Sequence, residues 1–412
     1  MKRNRLAKGL MVLIGIMVMS GMVFAAGAPE DEAKSLLISR WAGPHADDLK
    51  AVVRDYPNGD ITVDDIDYGS LRQKQLTSFQ ATPGNGNYDA VWVASQWMKE
   101  YVEAGYLMPI DDLIAENGFD TGNYAAGMME GVQFDGNTYG LPTFAQTLIL
   151  AYDSAAFEEA GVDVPTTSEE LIAVARYFKE NQGTGIAIPA RQGSAAVGFY
   201  SQILFSSGGY YFDDAGNLDL TSPESIYAAT VYDQLVDNAV EGVLAWHHDE
   251  VAEAVRTKNA PIGVIMSGLA NQNHDPERSM IVDTVKYQPL AAADGYAAAN
   301  NNFWVWAIPA NVTDEQASFD LVTWLTSPEV EKQMTMKNQQ ISAITSLSND
   351  SEVLEAAPFL PVVMEALGNG LMDPALANFQ TLREAMIVGL SEIASTDADP
   401  ATVLARVQEE LK

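Results

Sequence analysis

Trp41, Trp92, Trp97, Trp246, Trp304 and Trp306 fall at or near the ends of strand-like segments and in loops, together with Tyr68, Tyr200, Tyr210 and Tyr211. Flat aromatic faces give apolar contact to the C–H faces of polyhydroxylated rings, while Asn, Gln, Arg, Asp and His supply the hydrogen bonds that hydroxyl groups require. About half of these aromatics belong to a core, as their large apolar area dictates. Trp92, inside Ala90-Val91-Trp92-Val93, and Trp306 read as buried, and Trp304 as turned elsewhere. Trp324, on a helical stretch with Phe319, reads as packing.

Bond-breaking chemistry has weaker candidates. The chain carries no GxSxG elbow, Walker loop, HExxH or GxGxxG. It has no Cys, which removes thiol nucleophiles and thiolate metal sites. Its four His stand at 45, 247, 248 and 274. In His247-His248-Asp249-Glu250 adjacent side chains diverge rather than converge on one ion, so a helix start or exposed loop is expected. Asp213-Asp214-Ala215-Gly216-Asn217 lacks EF-hand spacing and reads as a polar hairpin turn. The expectation is a non-enzyme with no cofactor, no metal and no catalytic residues. Among 56 carboxylates a glycosidase-like pair can still arise.

The 412 residues are 47% hydrophobic and 19% charged, enough to build packed cores. A formal charge of −33 repels phosphate backbones and excludes nucleic acid as a partner. Lys2, Arg3, Arg5 and Lys8 precede an apolar run from Leu10 to Phe24 and the small-residue pattern Val23-Phe24-Ala25. This reads as a signal peptide, 1–25, cleaved after Ala25, sending the protein to the periplasm without a lipid anchor. Loss of its four positive charges takes the chain to −37.

Strand-like and helix-like segments then alternate. Leu36–Ser39, Ile61–Val63 and Asp89–Val93 read as strands, and the stretches around 47–55, 71–76 and 98–104 as the helices between them. Such βαβ alternation predicts parallel sheets with ligands beyond the strands' carboxyl ends. Thr167-Ser168-Glu169-Glu170 fits a capping box, and Ser222-Pro223 and Ser327-Pro328 fit helix starts. Pro261–Met266 and Phe303–Ile308 suit buried strands, and the tail after Glu352 reads as mostly helical.

Several segments together carry a family likeness. These are Trp41-Ala42-Gly43-Pro44, Asp89–Trp92 leading to Trp97, Ala104–Ile114, Phe134–Pro142, Leu150–Gly161, Asn302–Pro309 and Ala317–Pro328. The chain resembles the extracellular solute-binding proteins of carbohydrate ABC importers, family 1, the maltose-binding-protein-like group. The resemblance implies an α/β, two-lobed periplasmic-binding-protein fold with hinge strands and an interlobe ligand cleft. It implies a first lobe of 26–147 plus 309–345 and a second of 148–308 plus 346–412, with crossings near Leu148–Asp153 and Asn302–Pro309. The function implied is binding a sugar or short oligosaccharide and delivering it to ABC permease transmembrane subunits, as a monomer. A polyamine or other cation binder of the same fold, or a secreted glycosidase, are the alternatives.

Carried over position by position, the likeness puts Trp41, His45, Tyr68, Arg72, Ser95, Gln96, Trp97, Gln146 and Trp304 in the cleft. The second lobe contributes Arg191, Tyr200, Trp246 and Asn271, from Arg191–Tyr200 and the segment after Met266. Relatives often place an aromatic shortly after that Met, where this chain has Ser267-Gly268-Leu269-Ala270-Asn271. One stacking platform is therefore either missing or supplied by Trp246.

Overall fold

The structure, a computed structural model, describes residues 34–82, 88–290, 298–300, 302–338, 340–368, 370–374 and 379–412. The expected leader at 1–25 lies outside them. Among the described residues no helix is long and apolar enough to cross a membrane.

The strands are β1 (Lys34–Trp41), β2 (Gly59–Ile66), β3 (Ala90–Ala94), β4 (Gln133–Phe134), β5 (Asn137–Thr138), β6 (Leu141–Gln146), β7 (Leu148–Asp153), β8 (Ile186–Ala187), β9 (Ile262–Met266), β10 (Val285–Pro289), β11 (Asn302–Ala307) and β12 (Ile341–Ser342). Apart from the β4–β5 hairpin they form two sheets, in the orders β12-β6-β11-β3-β1-β2 and β10-β7-β9-β8. β2, β1 and β3 run parallel, each followed by a helix, as the alternation predicts. β3 is buried at every position, which explains its unbroken apolar sequence: a central strand covered on both faces has no solvent side to mark with polar residues.

Local signals in the sequence set the helix ends. Thr167 Oγ1 accepts from Glu170 N at 3.2 Å, and Glu170 Oε2 accepts from Thr167 N at 3.2 Å, starting the helix Ser168–Gln182. Ser222 Oγ accepts from Ser225 N at the head of Pro223–Asp237. Asp213 Oδ1 accepts from Ala215 N and Asn217 N, closing the expected polar turn. His247 precedes the helix His248–Arg256, and Glu250 caps it by accepting from His247 N at 2.7 Å. No group of three or more His, Asp or Glu among the described residues could hold a metal ion.

Sheet membership shows where the chain passes from one sheet to the other. β7 lies in the second sheet, so the first crossing is the single residue Thr147 between β6 and β7. β11 hydrogen-bonds with β3 and β6 in the first sheet, so the chain has already returned before Asn302 rather than within Asn302–Pro309. In the tail, Ser351–Ala356 packs on the helix Pro328–Asn338 beside the first sheet. Leu360–Gly368 touches β7 and β10, and Phe379–Ser395 and Pro400–Glu410 cover the helices Ser194–Ser206 and Pro223–Asp237. Leu360–Gly368 also touches Ala126–Glu130 and Thr345–Asn349 on the first side, so the chain stays beside the first sheet past 346 and bridges both sides before Phe379. Apolar periodicity marks strands, and partner choice is written in contacts distant along the chain.

The second lobe holds an electrostatic strain. Burial pushes the Asp233 carboxyl up to about 6, helped by the Asp237 and Asp397 carboxylates. A carboxyl raised in the folded state binds more protons there than in the unfolded chain, so it lowers stability as pH rises from about 4 to about 6. Asp233→Asn is expected to stabilise the protein at pH 7 by about 1 kcal/mol, allowing for partial exposure, and to have no effect below pH 4. Thermal melts of both proteins at the two pH values check this.

Candidate functional site

The carboxyl ends of β1 and β3 and the first residues of β11 bring aromatic rings together. Trp304 stacks on Trp92 with ring centroids 4.1 Å apart and planes within 18°, and on Trp41 at 6.0 Å. Tyr68, first residue of the helix Tyr68–Phe79, meets Trp41 and Trp304 edge-on at 5.8 and 6.2 Å and stacks on Trp97 at 6.1 Å. Trp304 and Trp306 are both buried, contrary to the expectation that Trp304 turns elsewhere. Two residues apart on one strand, they share a face, and both meet Trp92.

Beneath the stack, the buried Arg40 guanidinium sits 4.2 Å from the centre of the Trp92 ring. Arg40 Nη2 donates to Gln340 Oε1 at 3.2 Å, Gln340 Nε2 donates to Thr143 Oγ1 at 3.4 Å, and Thr143 Oγ1 donates to Glu331 Oε1. Burial pulls Arg40 down to about 9, so it stays protonated at neutral pH, with Glu331 and Asp48 opposing that shift. Burial also raises Glu331. The aromatic floor therefore rests on a buried charge network.

A cavity of about 240 Å³ opens against this floor, with walls from both sheets' sides. On the first side stand Trp41, Tyr68, Gln96, Gln146, Asn302 and Trp304. Opposite are Leu148, Met266, His248, and Ser194, Ala195, Gly198 and Gln202 from the helix Ser194–Ser206. Asn300, Asp373 and Arg383 complete it. Asp373 Oδ1 accepts from Asn300 Nδ2 at 3.1 Å. Burial raises the Asp373 carboxyl, while Arg383 and Asn300 pull it back. His248 is pushed down to about 3 by burial, His247 and Arg191, so it is neutral at physiological pH.

Gln202 is tied down rather than free. Its Oε1 accepts from Thr147 Oγ1 and Leu148 N, both at 3.2 Å, and its Nε2 donates to Leu148 O at 2.7 Å. Ser267 adds a second clamp, its Oγ accepting from Thr147 N at 3.1 Å. The crossing between the sheets is thus pinned by two second-lobe side chains at the edge of the cavity.

Of the expected site residues, Trp41, Tyr68, Gln96, Gln146 and Trp304 meet at this cavity. Trp97 stands behind Tyr68 and edge-on to Trp304 at 5.8 Å. Ser95 is buried, with its Oγ accepting weakly from Phe303 N. Arg72 points to Glu100, donating to both carboxylate oxygens at 2.5 and 2.7 Å. Tyr200 is wholly buried and donates to Ser225 O, a core role for a ring on an apolar helix. Arg191 is exposed, Trp246 packs partly buried against both cores, and Asn271 lies in the turn Ser267–His274; none of the three lines the cavity. Trp246 is not among the lining residues, and among the described residues the aromatic rings lining the cavity all stand on the first side. The side chain of His45 lies outside the described ones.

Asn300, Asn302, Asp373, Arg383, Gln202 and His248 went unread in the sequence as site residues, whereas Ser194 lies in the segment Arg191–Tyr200 expected to contribute. Gln202 carried a signal, as an amide inside the apolar run Ala195–Phe205. Asp373, a lone acid among Leu371, Met372 and Pro374, carried a faint one, and Arg383, on the helix Phe379–Ser395, carried none.

The model of the bacterial extracellular solute-binding protein family matches residues 42–332. A "Probable amino-acid ABC transporter periplasmic-binding protein" of Sinorhizobium fredii is 25% identical over 232 residues, 55% of this chain and about half, 52%, of the relative. A maltotriose-binding protein of Pyrococcus abyssi is 25% identical over 340 residues, covering 80% of this chain and 70% of that one. Among solved structures, an ABC transporter solute-binding protein of Agrobacterium radiobacter in complex with ribitol superposes with a TM-score of 0.78 at 24% identity, over 91% of this chain and 97% of its own. That likeness gives the two-lobed fold. The family match covers well over half the sequence, and the chain belongs to the bacterial extracellular solute-binding proteins.

Proposed function

We propose that the protein is the binding component of an ABC importer, outside the cytoplasmic membrane, and that it carries a sugar or polyol in the cavity between its lobes to the permease. The observation that carries this reading is the Trp41–Trp304–Trp92 stack at a cavity that also carries the amides of Gln96, Gln146, Asn300 and Asn302 and, on the opposite wall, the Ser194 hydroxyl. Apolar ring faces and planar hydrogen-bonding groups together match what a polyhydroxylated ligand presents. The maltotriose and ribitol of the relatives support the same class. A ligand touching both walls favours the closed arrangement by its differential contacts, and hinge closure turns occupancy into a shape a permease can read.

The cation-binding alternative loses support because a single carboxylate, Asp373, lines the cavity among the described residues, and Arg383 lines it too. The strongly acidic surface serves solubility. In this reading the protein binds without turning its ligand over.

A thermal-shift screen against neutral sugars, polyols, sugar acids, polyamines and divalent metals tests the proposal. A saturable rise with a sugar or polyol is expected, reaching about 2.7 kcal/mol of added stability at a hundredfold excess over Kd. A rise confined to polyamines or metals would move the assignment to a cation site. Release of reducing ends from a bound oligosaccharide would make the protein an enzyme instead.

A further inference from the structure

We infer, building on the sugar or polyol reading, that the site takes one neutral unit, a single sugar ring or an open-chain alditol of similar size, held by hydroxyls between the Asp373 carboxylate and the Trp41–Trp304 face.

Three observations carry the inference. The first is size. The cavity between the two walls measures about 240 Å³. That is below the roughly 300–1,000 Å³ of sites that enclose drug-sized ligands.

The second is the distribution of aromatic surface. Trp41, Tyr68 and Trp304 all stand on the first side, and the facing wall is Ser194, Ala195, Gly198 and Met266. A chain of several rings needs a platform for each unit. Among the described residues one platform faces a helix whose small residues let its backbone approach closely.

The third is charge. The cationic groups singled out for an acidic sugar are not in the cavity, since Arg72 is engaged by Glu100 and Arg191 is exposed outside the lining. His248 is neutral. Among the described lining residues the one guanidinium, Arg383, is met by the one carboxyl, Asp373, so no surplus cationic side chain is left to hold an acidic sugar. Asp373 Oδ1 is engaged by Asn300, and Oδ2 accepts no hydrogen bond from the described residues, which leaves it to accept from ligand hydroxyls.

Calorimetric titration of the purified protein tests this, with aldopentoses, aldohexoses and their alditols against maltotriose, gluconate and glutamate. At least one neutral single-unit compound is expected to bind one to one, at least tenfold tighter than maltotriose and gluconate. Asp373→Asn, with its fold checked by circular dichroism, is expected to weaken that compound at least tenfold. Maltotriose binding as tightly as any single unit would overturn the size inference and leave the carbohydrate reading in place. Gluconate binding tighter than the neutral compounds would overturn the charge inference alone. An unchanged affinity in folded Asp373→Asn would remove that carboxylate from the contact. Binding of glutamate only, or of nothing in the set, would overturn both this inference and the sugar reading.

Discussion

Trp304→Ala is expected to lose ligand affinity by roughly thirtyfold and, at the same time, to lower stability by about 3–5 kcal/mol. The two effects share one cause. The ring lines the cavity on one face, yet it is only 5% exposed because Trp92, Trp41 and Tyr68 cover the rest. Deletion therefore removes a ligand platform and leaves a void against Trp92. A mutation purely structural in its consequences would reduce melting temperature without moving the affinity of the protein that remains folded. Trp41→Ala separates the terms: Trp41 is only half-buried, so its removal should weaken binding with the smaller stability loss. Calorimetry and denaturant titration on both variants give the two numbers independently.

Arg40→Met is expected to destabilise the protein by about 3–5 kcal/mol, the cost of leaving a buried charge without its counterpart. Arg40 and Glu331 are 2% and 1% exposed, joined through Gln340 and Thr143. Removing the guanidinium strands the Glu331 carboxylate and takes away the cation under Trp92. The double variant Arg40→Met with Glu331→Met should recover more than half of the loss, because two apolar groups of similar volume carry no such penalty. Additive losses in the double variant would mean that the two charges do not act as a pair. Urea denaturation of the three variants beside the parent measures the coupling.

How much of this was legible beforehand depended on whether the determining physics was local. Thr167 with Glu170, Ser222 before Pro223 and the turn at Asp213 act within a few residues, and each forms as its sequence predicts. β3 announced itself by five consecutive apolar residues. β11 was legible as a strand but not as a member of the first sheet, because its partners β3 and β6 lie more than 150 residues away. The site divides the same way. Trp41, Tyr68 and Trp304 stood out as aromatics at or near strand ends and loops, while Gln96 and Gln146 were placed in the cleft only by the family resemblance. Asp373 and Arg383 reach the cavity only because the tail returns to the second lobe, and little near them in sequence separates them from the many other charged residues. Tyr200 shows the converse, a polar-tipped ring in the expected segment whose hydroxyl the fold satisfies internally.

The most direct measurement is a titration of the protein's tryptophan fluorescence with neutral single-unit sugars and alditols. The ring stack forms the floor of the cavity, so occupancy must change the surroundings of Trp41 and Trp304. A saturable change in emission at one ligand per chain, abolished in Trp304→Ala, is the predicted result. A saturable response to cations or amino acids with none to any neutral sugar or polyol would contradict the account.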